Sequence, residues 1–385
     1  MKAIPCSIIR GGTSKGIFVL EEHLPHDPGQ RNQLLLDLMG SPDPRQIDGL
    51  GGADPLTSKV AIVAPSLRPG IDVEYESVEV GIAEAVVGHG IMCGNLIAGV
   101  GCFAIAQGLI APQAPATTAT IYCRSNQKTI VARIPLTPGA DATQAMVATS
   151  DETAPLVDLE FQNPGGAVTG RLLPTGEPVT RLSLGPQRVL KVSIIDAGTL
   201  YTFVRAESFG LSGRESAEEL DGNAQFRAHI EAVREKVAEC VNHYRFGGAP
   251  FISPRLVKMA IVSRHVAFDP QHSEADIVAR IINKAKVHKA YAVSGAISLA
   301  AAAAIPGTLL NDILAPADSP FTLRVAHPSG VLAVRMQWFS GANGLVIENA
   351  SIQRSARIIM QGTAYVANRE RVAESTVVQD EAVAS

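Results

Sequence analysis

The sequence predicts an α+β protein of two pseudo-symmetric lobes, each with β-strands wrapped around a central apolar helix. Three observations predict it. The chain is written twice: SIIRGGT (7–13) returns as SIIDAGT (193–199), KVAIVA (59–64) as KMAIVS (258–263), and CGNLIA (93–98) as SGAISL (294–299). The offsets, about 186, 199 and 201 residues, drift slowly, as surface-loop insertions make them do. Each copy also carries a helix that is apolar on every face and rich in Gly and Ala, and such a helix is surrounded by protein. Much of the remaining chain alternates as short strands between Gly, Pro, Asn and Asp clusters.

The elements follow in order. Residues 3–9 and 16–20 are apolar runs split by the turn-rich RGGTSKG, a strand–turn–strand signal. Residues 30–39 predict a short helix stopped by Gly40. A Gly/Pro/Asp-rich loop (40–56) leads into the strand KVAIVA, residues 72–80 alternate as a strand, and 94–107 predict the first central helix. Segments 117–134 and 143–185 are strand-like or loop-like. The second copy begins near 188 with a strand pair over 190–205. Residues 224–243 predict an amphipathic helix with Phe226, Ile230, Val233, Val237 and Val241 on one stripe. Residues 274–289 are expected to be a further helix, and 295–304 form the second central helix, ended by Pro306. Strands are expected over 321–326, 331–338, 344–352 and 356–360. The lobes then span 1–186 and 187–370, with the possibility of a C-terminal return to the first lobe left open, and 371–385 reads as a frayed polar tail.

Composition narrows the function class. With 385 residues, 46% apolar and 18% charged, the chain can bury a large core. The net charge is −4 and no Lys/Arg run builds a nucleic-acid footprint, so nucleic acid is set aside. An anionic ligand would need local positive charge. Five cysteines at scattered spacings form no disulfide framework, which suits a reducing compartment. The N-terminus lacks an apolar signal core, and the apolar stretch 91–110 carries Asn95, Gln107 and several glycines, so it reads as a buried helix and not a membrane span. A cytoplasmic protein without membrane partners is expected; a homodimer or higher homo-oligomer is admitted.

Chemistry concentrates where the copies match, and where they differ (Arg10 against Asp196, Cys93 against Ser294) one lobe is expected to be specialised for it. Cys93, Gly94 and Asn95 open the first central helix. Free backbone N–H groups and the helix dipole bind anions there and favour a thiolate; the alternative is a cysteine that is simply buried. Lys59 starts an apolar strand. Burial can depress its pKa toward about 7 and make it a general base, or it can snorkel to solvent from the strand edge. RGGTSKG offers Arg10, Gly12, Thr13, Ser14 and Lys15 as hydroxyls, amides and cations, or as a polar hairpin turn. His327, Ser329 and Gly330 of HPSG, with Arg354 and Arg357, are the candidates in the second copy, since arginines pair carboxylates in bidentate fashion. GHGIMCG is not a dinucleotide fingerprint, the P-loop order is missing, and His23 and His26 have no matching further metal ligands.

In order along the chain, RGGTSKG, MGSPDPRQIDGLGGADPLTSKVAIV, CGNLIAGVG, LPTG, AIPGT, HPSG and SARIIMQG resemble the PrpF family of cofactor-independent isomerases. The resemblance covers nearly the whole chain and is most specific over 39–63. It implies a diaminopimelate epimerase-like fold with the active site in the cleft between the lobes. It implies activities such as 2-methylaconitate cis–trans isomerisation, double-bond migration in aconitate or methylitaconate, and 4-oxalomesaconate tautomerisation. Carried over, it makes Lys59 the base that moves an allylic proton and Cys93 a second acid/base or binding group. Gly94, Asn95, Ser294, Gly295, His327, Ser329 and the RGGTSKG loop would hold carboxylates, and Ser58, Leu96, Ala296 and Gly330 complete the expected substrate-binding set. Met92 stands where the family usually carries Asn. Ser294 stands where the epimerases carry a second cysteine, which argues against two-thiol epimerisation.

The expected activity is therefore an allylic isomerase of an unsaturated tri- or dicarboxylate, of the cis/trans-aconitate or 2-methylaconitate type, with no cofactor or metal. A 4-oxalomesaconate tautomerase is the alternative within the class. A racemase of the same fold, or a non-catalytic metabolite-binding accessory, is the alternative outside it.

Overall fold

The structure, a computed structural model, describes residues 1–90, 92–136, 156–186, 188–244, 251–254, 257–265, 274–283, 286–314, 318–342 and 344–366. Its contacts divide the chain into two units, Met1–Glu160 with the chain from Gln353 onward, and Phe161–Ile352. The sequence reading sets the boundary at 186/187; the expected tail, 371–385, lies outside the described residues.

The first unit opens with a hairpin of β1 (Lys2–Gly11) and β2 (Ser14–Leu20), turned at Gly12 with φ 51°. Helix α1 (Pro28–Met39) follows. Asp27 caps it by accepting from the Gln30 amide, Pro28 occupies its first turn and Gly40 closes it at φ 78°. Strand β3 (Lys59–Pro65) lies parallel to β2 and antiparallel to β4 (Val73–Val80). Strand β5 (Val87–Gly88) pairs antiparallel with the end of β4, β6 (Ala116–Cys123) lies parallel to β4, and β7 (Lys128–Pro135) returns along β6. Between β5 and β6 runs α2 (Gly94–Ala106), which touches β1, β2, β3, β4, β6 and β7. Every residue of α2 through Ile105 is buried. Strand β3 is covered on both sides: Val60 and Ile62 face the cluster that holds α1, while Ala61 and Val63 alternate toward the opposite, α2 side.

Small residues let the strands close on α2. A Cβ at Gly99 would lie 2.8 Å from Phe18 and 2.9 Å from Ile9, and one at Gly101 would lie 2.7 Å from Ile134. The tightest approach is at the hairpin. A Cβ at Gly11 would stand 2.3 Å from the Asn95 carbonyl oxygen, in the first turn of α2.

The second unit repeats the plan. Strand β8 (Leu156–Gln162) runs across the unit boundary, and after β9 (Thr180–Ser183) come β10 (Val189–Ala197) and β11 (Thr199–Arg205), the counterpart hairpin. Helix α3 (Ala217–Gly222) carries a Ser216/Glu219 capping box. Helix α4 (Ala224–His243) buries the expected stripe of Phe226, Ile230, Val233, Val237 and Val241. Strand β12 (Lys258–Arg264) lies parallel to β11 and antiparallel to β13 (Ile277–Asn283), whose end pairs antiparallel with β14 (Lys286–Val287). The second central helix, α5 (Val293–Ala304), is buried throughout. Thr308 caps α6 (Leu309–Ile313). Strands β15 (Phe321–His327) and β16 (Gly330–Gly341) form a hairpin. Strand β17 (Gly344–Val366) pairs with β16 through its first half; its second half pairs with β1 in the first unit.

Two elements differ from the sequence reading. The helix expected over 274–289 is instead strand β13 followed by β14. IVARII is a largely apolar, β-branched run broken only by Arg280, which periodicity alone cannot divide between helix and strand. Its burial on two sides settles the matter: Ile282 packs into the α4 cluster, and Ile281 reaches Gly295 of α5. The two strands expected at 344–352 and 356–360 are one continuous strand. Among the described residues no helix is long and apolar enough to cross a membrane.

Gly11→Ala should lower stability by about 1–3 kcal/mol, because the hairpin or the first turn of α2 must shift to admit a methyl group. The urea midpoint measures it, and an unchanged midpoint contradicts this close approach.

Candidate active site

The first-unit candidates gather at the start of α2. Cys93 is the N-cap residue, half-buried, with no side-chain cap bond, so the amides of Gly94 and Asn95 enter the helix unpaired from before. Two contacts pin this helix start. The buried Tyr75 hydroxyl donates to the Cys93 carbonyl at 3.3 Å, and Asn95 Nδ2 donates to Thr13 Oγ1 at 3.1 Å. Met92 is buried, and its sulfur accepts from Asn126 Nδ2 at 3.1 Å.

The RGGTSKG turn folds against the same place. Gly12 has no room for a side chain, since a Cβ would meet Asn95 Oδ1 at 2.5 Å and Arg354 Cδ at 2.9 Å. Arg10 is exposed and its Nε donates to the Gly12 carbonyl at 3.0 Å. Lys15 donates its amide to Leu56, which ties the turn to the 40–58 loop. Ser14 is buried, and its hydroxyl has no hydrogen-bond partner among the described residues. Leu96 fills the space beside Gly16.

Lys59 lies on β3 directly across from Glu79 of β4. It is only 5% exposed, and its ammonium donates to Glu79 Oε1 at 2.5 Å. The preceding Ser58 is engaged: it donates to the Val80 carbonyl and accepts from Gln46 Nε2, each at 2.7 Å. Ser58 therefore sets the entry of β3 and with it the position of Lys59. Gln46, buried at φ 47°, also accepts from the Ala53 amide and organises the Gly-rich loop.

The protonation of Lys59 differs from the sequence reading. Burial is the largest influence and pulls the pKa down, as expected. The Glu79 carboxylate, Cys93 and Asp54 together outweigh it, and the pKa is raised above the ordinary lysine value. Even an ordinary lysine, at about 10.4, is free amine in less than about one part in 10³ at neutral pH. Lys59 is thus an ammonium at rest. Its stabilising contribution is whole below the unfolded pKa and is lost only as pH rises through the higher folded value.

In the second unit, Ser294, Gly295 and Ala296 occupy the first turn of α5 and are buried. Ser294 shares a hydrogen bond with the buried Tyr201 hydroxyl, whose pKa burial raises. A Cβ at Gly295 would lie 3.0 Å from that oxygen. His327 ends β15, stacks on Tyr291 with ring centroids 6.5 Å apart, and accepts at Nδ1 from the Ser329 amide at 3.2 Å. The Ser329 hydroxyl donates to the Lys289 carbonyl, and Gly330 starts β16 at φ 132°. Asp196, the counterpart of Arg10, is fully buried and accepts from the amides of Val168 and Thr169 and the Thr169 hydroxyl.

Arg354 and Arg357, read as second-copy residues, stand in the first unit, because β17 passes Ile352 and pairs with β1. Sequence reasoning missed Glu79, Tyr75 and Gln46. The alternation over 72–80 put acids on one face of the strand but could not show which of them faces Lys59.

The sequence matches the family described as PrpF protein over residues 1–367. The chain belongs to the PrpF family; it is an isomerase with the diaminopimelate epimerase-like fold. It is 36% identical over 370 residues to a protein of Novosphingobium sp. (strain KA1) named (4E)-oxalomesaconate Delta-isomerase, covering 95% of this chain and 98% of that one. A Cupriavidus necator protein named 2-methyl-aconitate isomerase is 33% identical over 384 residues, covering 93% and 96%. The crystal structure of a methylitaconate-delta-isomerase superposes with a TM-score of 0.74 at 34% identity, covering 94% of this chain and 95% of that chain.

Glu79→Gln should move the Lys59 titration downward, because burial then acts with less opposition. Lysine NMR with labelled Cε reads this, and an unmoved Lys59 resonance contradicts the pairing.

Proposed function

We propose that the protein is a cofactor-independent allylic isomerase of an unsaturated tri- or dicarboxylate, of the cis/trans-aconitate or 2-methylaconitate type, with Lys59 and Cys93 moving the proton. One observation carries the reading: a buried ammonium, held charged by Glu79, stands in the field of a half-buried thiol at an uncapped helix start.

The chemistry balances without an oxidant. A proton γ to an unsaturated carboxylate leaves, its electron pair spreads into a dienolate, and a proton is added two carbons away. Negative charge grows on the carboxylate in between, where aligned amides and a cation stabilise it most. The Gly94 and Asn95 amides and the Lys59 ammonium supply both. Because Lys59 begins charged, it serves first as the acid that returns a proton, and Cys93 is the first base, taking the allylic proton on sulfur. Turnover leaves a thiol and an amine, and the proton passes back from sulfur to nitrogen. In the reverse reaction the Lys59 amine takes the allylic proton, so the base role expected from the sequence falls on that leg. Rotation within the dienolate before reprotonation gives a cis–trans change.

Arg10, Gly12, Thr13, Ser14 and Lys15 are proposed as carboxylate-binding residues beside this helix start, with Leu96 as an apolar contact and Ser58 positioning Lys59. Ser294, Gly295, Ala296, His327, Ser329 and Gly330 are proposed as further substrate-binding residues. The AIPGT and SARIIM motifs favour the methylaconitate branch. The 36% identity to the Novosphingobium protein favours a second reading, a 4-oxalomesaconate-type tautomerase using the same proton transfer.

The test is incubation with cis-aconitate, 2-methylaconitate, methylitaconate and 4-oxalomesaconate, each in D₂O without cofactor, followed by proton NMR. One of them should show a moved double bond or a cis–trans change with deuterium incorporated, and this identifies the branch. Lys59→Met should fold and lose activity by about 10² or more. Near-normal turnover by that variant contradicts the assignment.

A further inference from the structure

Among the described residues, the guanidinium of Arg354 has no counter-charge. It sits on β17 beside the first turn of α2, where its Nε donates to Asn95 Oδ1 at 3.2 Å and its Nη1 donates to the Gln353 carbonyl at 2.9 Å. No carboxylate pairs with it among the described residues. The other cations near this helix start differ from it: Lys59 is paired with Glu79, Arg10 is open to solvent, and Lys15 and Arg357 are partly buried, the Arg357 Nε lacking a partner among the described residues. Burial pushes the Arg354 pKa down to about 10, which still leaves it charged at neutral pH.

A partly buried cation of this kind is unfavourable in isolation and is retained where an anion answers it. Its surroundings are also ordered in advance. Asn95 is held by Thr13 through Nδ2 and offers Oδ1 to Arg354, while Gly12 leaves no side chain between them. Two neutral contacts engage Nε and Nη1 and hold the plane of the fork, and the Nη2 donors have no acceptor among the described residues. A planar guanidinium with free outer donors is the group that binds a carboxylate through two parallel hydrogen bonds.

We infer that Arg354 is a specificity-determining residue that receives a substrate carboxylate other than the one conjugated to the reacting double bond, with Asn95 as the positioning residue that orients its guanidinium. The inference rests on the reading of the α2 start as the place where the reacting carboxylate lies. The amides of that turn take the carboxylate whose charge grows, and Arg354 takes one whose charge stays constant. Its contact is then equally strong in ground and transition states, so it governs affinity and selection and not the chemical step. It selects for substrates with at least two carboxylates, the chemical class shared by the candidates above.

The test compares succinate with its monoamide, succinamate, which has nearly the same shape and one charge fewer, by NMR titration of the wild type, Arg354→Gln and Arg354→Lys. The wild type should prefer succinate by roughly tenfold or more. Arg354→Gln should collapse that preference to within about threefold. Arg354→Lys, which keeps the charge and loses the fork, should fall between. A merely structural Arg354 would weaken both ligands by the same factor and keep their ratio, which would overturn the inference. No preference in the wild type overturns it too. If Arg354→Gln does not fold, an unchanged ratio in Arg354→Lys does so. These are binding measurements, so their outcome stands apart from the isomerisation test: the preference can collapse in a protein that converts none of the candidate substrates, and persist in one that does.

Discussion

The structure depends on the enclosure of α2. A helix with no polar face has to be surrounded, and Gly and Ala let the strands approach its backbone. That enclosure is what fixes the site. The hairpin turn presses Gly11 and Gly12 against Asn95, Tyr75 holds the Cys93 carbonyl, and β3 and β4 bring Lys59 and Glu79 to the same region. Uncapped amides at a helix start would cost little if they faced bulk water. Here they stand beside the Lys59–Glu79 pair and a guanidinium with no counter-charge among the described residues, so Arg354 supplies local positive charge in a protein whose net charge is −4.

The two copies share a plan but use their matching positions differently. Arg10 in the first unit is exposed at the turn, whereas Asp196 in the second is buried and accepts hydrogen bonds from Val168 and Thr169. Cys93 is an N-cap with a half-buried thiol; Ser294 lies inside the first turn of its helix and bonds to Tyr201. The titratable partners that suit proton transfer, Lys59, Glu79 and Cys93, all belong to the first unit.

Much of this was legible in the sequence because it depends on local pattern. The central helices follow from runs of small apolar residues, and the stripe from Phe226 to Val241 gives the bounds of its helix without correction. The turn at Gly12 and the strand start at Lys59 follow from composition. What was not legible depends on partners far apart in sequence. IVARII became a strand because helices cover both its sides. Arg354 was assigned to the second copy by its place in the chain, yet the register of β17 on β1 carries it to the first. The charge of Lys59 required knowing that Glu79 is its cross-strand neighbour. Burial was foreseen correctly; the carboxylate that reverses its effect was not.

The most direct measurement is a crystal structure with bound tricarballylate, a saturated tricarboxylate that cannot isomerise. One carboxylate should accept hydrogen bonds from the Gly94 or Asn95 amide and from Lys59 Nζ at about 3 Å, leaving the reacting carbons between Lys59 and Cys93. A ligand held elsewhere, with Lys59 still bound only to Glu79, would contradict the account.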